Sequence, residues 1–407
     1  MFKEDFPILS RKINDFPLIY LDNAATTQKP RAMIDKMQQY LENSNANIHR
    51  GIYSLTEEST HLFEDTRKKI AECLSELFID NVSADQLIFT KNTTECINLV
   101  ANSLIPFIQK GETILISSLE HHSNMLPWRK IAFGKGFNIE WMEFDDFSIS
   151  TNILESHLSS NSNIKFVAVT GCSNVTGAIT NVNKIIEICQ KYGVKVLIDG
   201  AQWVPHIIWE ENKYLLPDFL VFSAHKMLGP TGVGVLYVKN PSLLNNPYMV
   251  GGNTVTKVSK TEINYKTGFE LYEAGTQDIN SVIGFNESIK YILEKRKNKI
   301  SEHLTSLTTQ LYETLSNITE LKLYSPSSFK PRIPLFSFSI KNIHPHDISD
   351  FLDKSGICVR SGQHCTGVLH DEMKINATTR VSAYIYNDKN DIIMFGEEIK
   401  KCIKFYS

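Results

Sequence analysis

Five short stretches of the chain carry side chains that could do chemistry. Ser223-Ala-His-Lys226 ends an apolar run and is followed by Met-Leu-Gly-Pro-Thr-Gly-Val-Gly. A lone lysine there reads as a solvated strand end. Ser223 and His225 beside it, and a glycine-containing turn that leaves room for a ligand, make it read as a functional amine. The Gly232-x-Gly234 pair is followed by a strand pattern and not by a helix, so a dinucleotide fingerprint is rejected. Asp199 lies in Val196-Leu-Ile-Asp199-Gly-Ala-Gln202, at the carboxyl end of a strand, where open α/β sheets collect ligands. A carboxylate there can keep a pyridinium nitrogen protonated, which an electron-sink cofactor such as pyridoxal phosphate needs. Asp before Gly-Ala is equally a helix N-cap.

Asn92-Thr-Thr-Glu95 opens a helical pattern, with Asn92 as cap and Glu95 three residues on, a capping-box arrangement. The free amides and hydroxyls of Thr93 and Thr94 would then face an anion favoured by the helix dipole. In Leu119-Glu-His121-His122-Ser-Asn the adjacent imidazoles diverge and no third ligand is suitably spaced, so no metal is read. One imidazole stacked on an aromatic cofactor is the functional reading, and surface histidines are the alternative. Last comes Val359-Arg360-Ser-Gly-Gln-His364-Cys365-Thr-Gly, with Arg380 following. Arginine and histidine beside a cysteine stabilise the thiolate, the form that attacks sulfur or carbon. Cys365 is therefore the reactive candidate, and the other six cysteines sit in apolar or helical patterns.

The elements that must position these groups follow from hydrophobic periodicity. Residues 86–90, 113–117, 164–170, 194–199, 219–223 and 233–238 are short and rich in β-branched and aromatic residues. Most are nearly continuous apolar runs, as in strands covered on both faces. Helical spacing at Ile97, Val100 and Leu104, and at Ile185, Ile188 and Cys189, separates some of them. The expected fold is α/β, a large domain with a mainly parallel mixed sheet. Past residue 285 the texture changes. A stripe of Ile300, Leu304, Leu307, Leu311 and Leu315 predicts a packed helix. A strand at 335–340 and helices near 347–354 and 391–405 follow. The division expected is 18–284 for the large domain and 285–407, joined by segment 1–17, for a smaller α+β domain. Gly251-Gly252 and the polar stretch after it read as a loop.

Composition narrows the class. The 407 residues carry 42 Lys+Arg against 45 Asp+Glu, a formal charge of −3, with 42% hydrophobic residues. That balance argues against nucleic-acid binding, which needs excess basic charge. No run of eighteen apolar residues suggests a membrane span, and the N-terminus lacks a signal-peptide core. Seven scattered cysteines without Cys-x-x-Cys suggest neither a disulfide framework nor a zinc site. A reducing cytoplasm is the expected compartment.

Taken together and in order, these blocks resemble the Suf-type (group II) cysteine desulfurases, fold-type I pyridoxal phosphate enzymes of the aminotransferase class V family. The likeness also rests on Tyr20-Leu-Asp-Asn-Ala-Ala, Asn47-Ile-His49-Arg50-Gly-Ile, Ser173-Asn174-Val-Thr-Gly, Glu273-Ala-Gly-Thr276 and Arg380-Val-Ser-Ala-Tyr-Ile-Tyr-Asn. It implies a homodimer that converts L-cysteine to L-alanine. Cys365 would carry a persulfide, passed to a SufE- or SufU-like acceptor for iron–sulfur cluster assembly. By the resemblance, Lys226 holds pyridoxal phosphate covalently and shuttles the Cα proton. His121 stacks on its ring, Asp199 pairs with the ring nitrogen and Gln202 bonds the ring hydroxyl. Thr93, Thr94, Ser223 and His225 lie at the phosphate, with Thr276 reaching in from the second subunit. Asn174 and Arg380 hold the substrate carboxylate, with Arg360 nearby. A selenocysteine lyase or another class V C–S lyase is the alternative, and a non-catalytic scaffold the remote one. Gln363, Thr366-Gly367-Val368, Gln277-Asp278 and Cys172 depart from the family's usual residues.

Overall fold

The computed structural model describes residues 2–244, 246–296, 298–327 and 330–407. The apolar runs become seven strands of one sheet: β1 (Leu87–Thr90), β2 (Thr113–Ser117), β3 (Asn138–Met142), β4 (Ile164–Thr170), β5 (Lys195–Asp199), β6 (Phe219–Ser223) and β7 (Gly234–Val238). Their spatial order is β1-β7-β6-β5-β4-β2-β3. Only β7 runs antiparallel to its neighbours. The central strands are covered on both faces, so Val196, Leu197, Ile198, Phe219, Leu220 and Val221 are all buried. That explains why their sequences are apolar throughout instead of alternating.

A second sheet is antiparallel and four-stranded, in the order β8 (Leu321–Leu323), β9 (Leu335–Ile340), β11 (Thr378–Ser382), β10 (Arg360–Gly362). Helices α1 (Arg31–Asn43) and α2 (Ser54–Leu77) pack on α4 (Ile279–Lys295), whereas α5 (Ile300–Ser316) packs on α6 (Lys389–Tyr406). Helix α3 (Thr93–Leu104) follows β1. The stripe predicted from Ile300 to Leu315 is the buried face of α5. Helix α4 runs unbroken through residues 284 and 285. The N-terminal segment reaches the second sheet's side of the molecule: Ile19 pairs in parallel with Ile357, and the Lys3 ammonium donates to Asp391 at 2.6 Å.

Two sequence expectations need correcting. The stretch after Gly251-Gly252 contains a two-stranded ribbon, Val255–Val258 paired with Ile263–Tyr265. It stands in solvent on both faces, so no burial pattern betrays it in the sequence. The glycines after Lys226 do not leave room for a ligand either. A Cβ on Gly234 would sit 2.5 Å from the Asn92 backbone, and one on Gly229 would meet Phe285 and Ala224. These glycines allow β7 and the lysine turn to pack closely against their neighbours.

Candidate active site

The carboxyl ends of β4, β5 and β6, with the segments that follow β1 and β2, converge on one cavity of about 260 Å³. Its wall includes Thr93, Thr94, His121, Asn174, Asp199, Gln202, Ser223, His225, Lys226, Arg360 and Arg380. Of the residues expected from sequence, only Cys365 and Thr276 lie outside this lining. Crossover topology is the reason. Parallel strands place their carboxyl ends on one edge, so residues over a hundred positions apart become neighbours.

One end of the cavity is built for an anion. Asn92 caps α3 by accepting from the Glu95 N–H at 3.0 Å. The expected capping box is only half formed, because the Glu95 carboxylate accepts from Lys91 N–H at 2.6 Å instead of from the cap residue. Thr93 and Ser223 share a 2.6 Å hydroxyl contact, and Thr94 and Ser123 one of 2.7 Å. Four hydroxyls thus gather at a helix N-terminus. Ser123 carried no signal in the sequence beyond its place after the histidine pair.

Across the cavity, Lys226 sits in a 3₁₀ turn, Ala224–Lys226, just past β6. Burial lowers its amine to about 8, against the opposing pull of Asp199. Burial raises the Asp199 carboxyl, which accepts from Ala201 N–H at 2.9 Å. His121 is driven down to about 3 by burial and then by the Lys226 charge, so the ring is neutral. Its Nδ1 accepts from Ser123 N–H at 3.1 Å, which leaves the ring proton on Nε2. Burial also lowers His225, to about 4. Gln202 donates to the Ala24 carbonyl at 2.6 Å.

The carboxylate-binding side centres on Arg380, on β11. Its guanidinium donates to the Asn174 carbonyl and to Asp22, each at 3.0 Å. Its Nε is buried without a hydrogen-bond partner among the described residues. That atom is closed off from the cavity, but Arg380 lines it and each terminal nitrogen keeps one hydrogen beyond these two bonds, which suits an anionic ligand.

Cys365 is exposed, on a loop in which His364 and Cys365 both have left-handed backbone, φ 51° and 58°. Each such residue costs about 1–3 kcal/mol, so the loop must be held from outside. Asn174 donates to the His364 carbonyl at 2.9 Å, and His122 N–H to the Cys365 carbonyl at 2.7 Å. His364 does not supply the positive charge expected of it. Its Nε2 faces the Thr378 hydroxyl at 2.9 Å, and burial lowers it to about 2, so it is neutral beside the thiol. Of the cationic neighbours expected in this loop, Arg360 remains. The other cysteines are buried except the half-buried Cys358, and burial raises Cys73 to about 12 and Cys402 to about 11.

The family model for aminotransferase class V matches residues 19–395. The chain belongs to the aminotransferase class-V family. It is 38% identical to a probable cysteine desulfurase of Streptomyces coelicolor, over 99% of this chain and 97% of that one. It is 36% identical to another from Synechocystis, over 100% of this chain and 96% of the relative. Its fold matches the apo structure of a cysteine desulfurase from Thermococcus onnurineus with a TM-score of 0.90. That pair is 32% identical over 99% of this chain and 97% of the other.

Two residues of this class V chain escaped the sequence reading. Glu120 is buried and accepts from Ser117, Asn124 and Thr170 N–H, so it locks the turn that carries His121 to the end of β4. Burial raises its carboxyl to about 8, and all three donors pull it back. His122 braces the cysteine loop. An acid and an imidazole flanking a recognised residue carry no motif of their own. Thr276 lies in a separate cleft with Asn47, Ile48, His49 and Arg50.

Proposed function

We propose that this class V chain is a pyridoxal phosphate-dependent cysteine desulfurase. It converts L-cysteine to L-alanine and leaves the sulfur as a persulfide on Cys365. The observation that carries the reading is one cavity uniting a buried low-pKa lysine, a buried carboxylate and a buried arginine, with an exposed cysteine on the loop beside it. Full-length similarity to proteins named as cysteine desulfurases supports it.

The residues present fit the cofactor. The N-terminus of α3 with Thr93, Thr94, Ser223 and His225 suits a phosphate. Asp199 suits a protonated ring nitrogen, neutral His121 suits a ring face, and Gln202 has a second amide hydrogen for a ring hydroxyl. Pyridoxal phosphate, when bound, supplies an electron sink next to the substrate Cα. Lys226 tethers it, and its free amine takes the proton from Cα and returns it. Arg380 and Asn174 orient the substrate carboxylate, with Arg360 beside them. The Cys365 thiolate then forms an S–S bond to the substrate sulfur. The C–S bond breaks, its electron pair goes to Cβ, and Cβ takes a proton to become the alanine methyl. Sulfur is oxidised and carbon reduced, so no external oxidant is needed.

The reading extends to a homodimer with Thr276 serving the partner's cavity, and to a cytoplasmic role supplying an acceptor protein for iron–sulfur assembly. It keeps the division into 18–284 and 285–407 with 1–17. No described helix is long and apolar enough to cross a membrane. The test is mass spectrometry of Cys365 after turnover with L-cysteine, expected to show one added sulfur. Borohydride reduction is expected to fix a pyridoxyl group on Lys226. A Cys365→Ala enzyme releasing alanine from cysteine at the parent rate would overturn the nucleophile assignment.

A further inference from the structure

The cysteine loop is braced twice by a residue to which the proposed chemistry gives no part. His122 donates its backbone N–H to the Cys365 carbonyl at 2.7 Å, and its Nε2 accepts from the Gly367 N–H at 3.0 Å. The two bonds flank Thr366, starting at the Cys365 carbonyl itself, and clamp the segment from the wall that carries His121. A Cβ on Gly367 would stand 3.4 Å from Nε2, an ordinary contact, so the brace does not depend on the glycine. The remaining anchors divide between the loop's own neighbourhood and Asn174. Thr366 bonds to Gln363, and His364 to Thr378. Asn174 holds the His364 carbonyl but also lines the cavity. Two successive left-handed non-glycine residues persist only where their surroundings over-determine them. Here the constraint next to the thiol comes from His122.

We infer that His122 is a positioning residue, whose N–H and Nε2 fix the cysteine loop so that the Cys365 sulfur faces the substrate sulfur. This rests on the desulfurase reading. The adjacent His121–His122 pair then has two jobs at one turn, with the first ring in the cavity and the second holding the nucleophile's loop. Glu120, fixed by Ser117, Asn124 and Thr170, holds that turn to the sheet.

The test compares His122→Ala with His122→Gln, whose amide oxygen can replace Nε2 as acceptor while the backbone N–H stays in both. For the alanine variant, kcat with L-cysteine is expected to fall by about 100-fold, the scale of a 1 Å misplacement, with KM within about twofold. L-Selenocysteine, whose carbon–selenium bond breaks with less help from a protein thiol, should be turned over near the parent rate. Iodoacetamide should label Cys365 of the resting holoenzyme about threefold faster or more, because the loop opens locally. The glutamine variant should recover both properties.

Parent-like kcat or labelling in the alanine variant overturns the inference. So does equal loss of cysteine and selenocysteine turnover, or a glutamine variant as impaired as alanine. Should the alanine variant not fold, hydrogen exchange at the Gly367 amide of the parent decides: protection is expected, and free exchange overturns it. Labelling and exchange need no turnover. A parent inactive on cysteine therefore fails the desulfurase reading while these two arms still judge the brace.

Discussion

At Lys226 two effects compete for the charge on one amine. Burial favours the neutral form, Asp199 favours the charged one, and burial wins by enough to bring the amine to about 8. Only the free base has a lone pair, so capture of a reactive aldehyde by the cofactor-free protein is expected to speed up with pH, with its midpoint near 8. Asp199→Asn removes the charge that holds the proton, and the midpoint should move lower. A stopped-flow pH series checks both, and a parent midpoint near the ordinary lysine value would sink the assignment. The sign for stability follows. Between about 8 and the ordinary 10.5, the unfolded chain binds a proton that the folded chain has lost, so this lysine makes stability rise with pH across that window. Lys226 and Asp199 were legible because each ends a recognisable apolar strand, and strand ends of a parallel sheet meet. The charge state of His364 was not legible. It is decided by burial against Thr378, on a strand that the loop sequence does not announce.

The segment Ser173–Ile179 ties the two sheets together at the level of elements. Gly177 accepts from Ile333 N–H at 3.0 Å, Ile179 N–H donates to the Pro331 carbonyl at 3.0 Å, and the Ser337 hydroxyl donates to the Val175 carbonyl at 2.7 Å. Gly177 has φ +70°, and a Cβ there would fall 2.5 Å from the Leu335 carbonyl oxygen of β9. That oxygen is held in place because Leu335 is paired with Ser382 of β11, and β9 is paired again with β8 further along. Gly177→Ala is therefore expected to destabilise the protein by roughly 2–5 kcal/mol, combining left-handed strain with overpacking. Since Asn174 lies three residues away, KM for the substrate should rise as well. Denaturant melts and steady-state kinetics measure the two effects, and an unshifted midpoint with unchanged KM would refute the tie. The long elements were readable: β2, β4, β6 and β9 have the bounds their apolar runs suggested, and α5 begins at its predicted stripe. Pairings such as Ile19–Tyr20 with Ile357–Cys358 were not, because two residues carry no period.

A single copy of the chain leaves one cleft without a visible purpose. Arg67 donates to both Glu273 oxygens at 2.7 and 2.9 Å, and Phe89 N–H donates to the same carboxylate at 2.7 Å. This buried pair fixes Glu273-Ala-Gly-Thr276 to β1, a costly arrangement to maintain unless the loop it holds must be precise. Yet Thr276 lines a cleft with Asn47 to Arg50, apart from the cavity of Lys226. Just beyond that cleft Ile52 is 96% exposed, Tyr53 55% and Leu55 42%, an apolar cluster of the kind that marks an interface. A two-fold dimer using this face would cover the cluster twice and could bring each Thr276 to the other copy's anion end. Light scattering is expected to give twice the chain mass of 46.3 kDa. Ile52→Glu combined with Leu55→Glu should shift the mass toward one chain, because two buried charges per copy would go unpaired. Pyridoxal phosphate affinity should fall with it, although every residue of the Lys226 cavity is unchanged. A parent of single-chain mass would sink the dimer, whereas a monomeric variant with parent affinity would sink only the part given to Thr276.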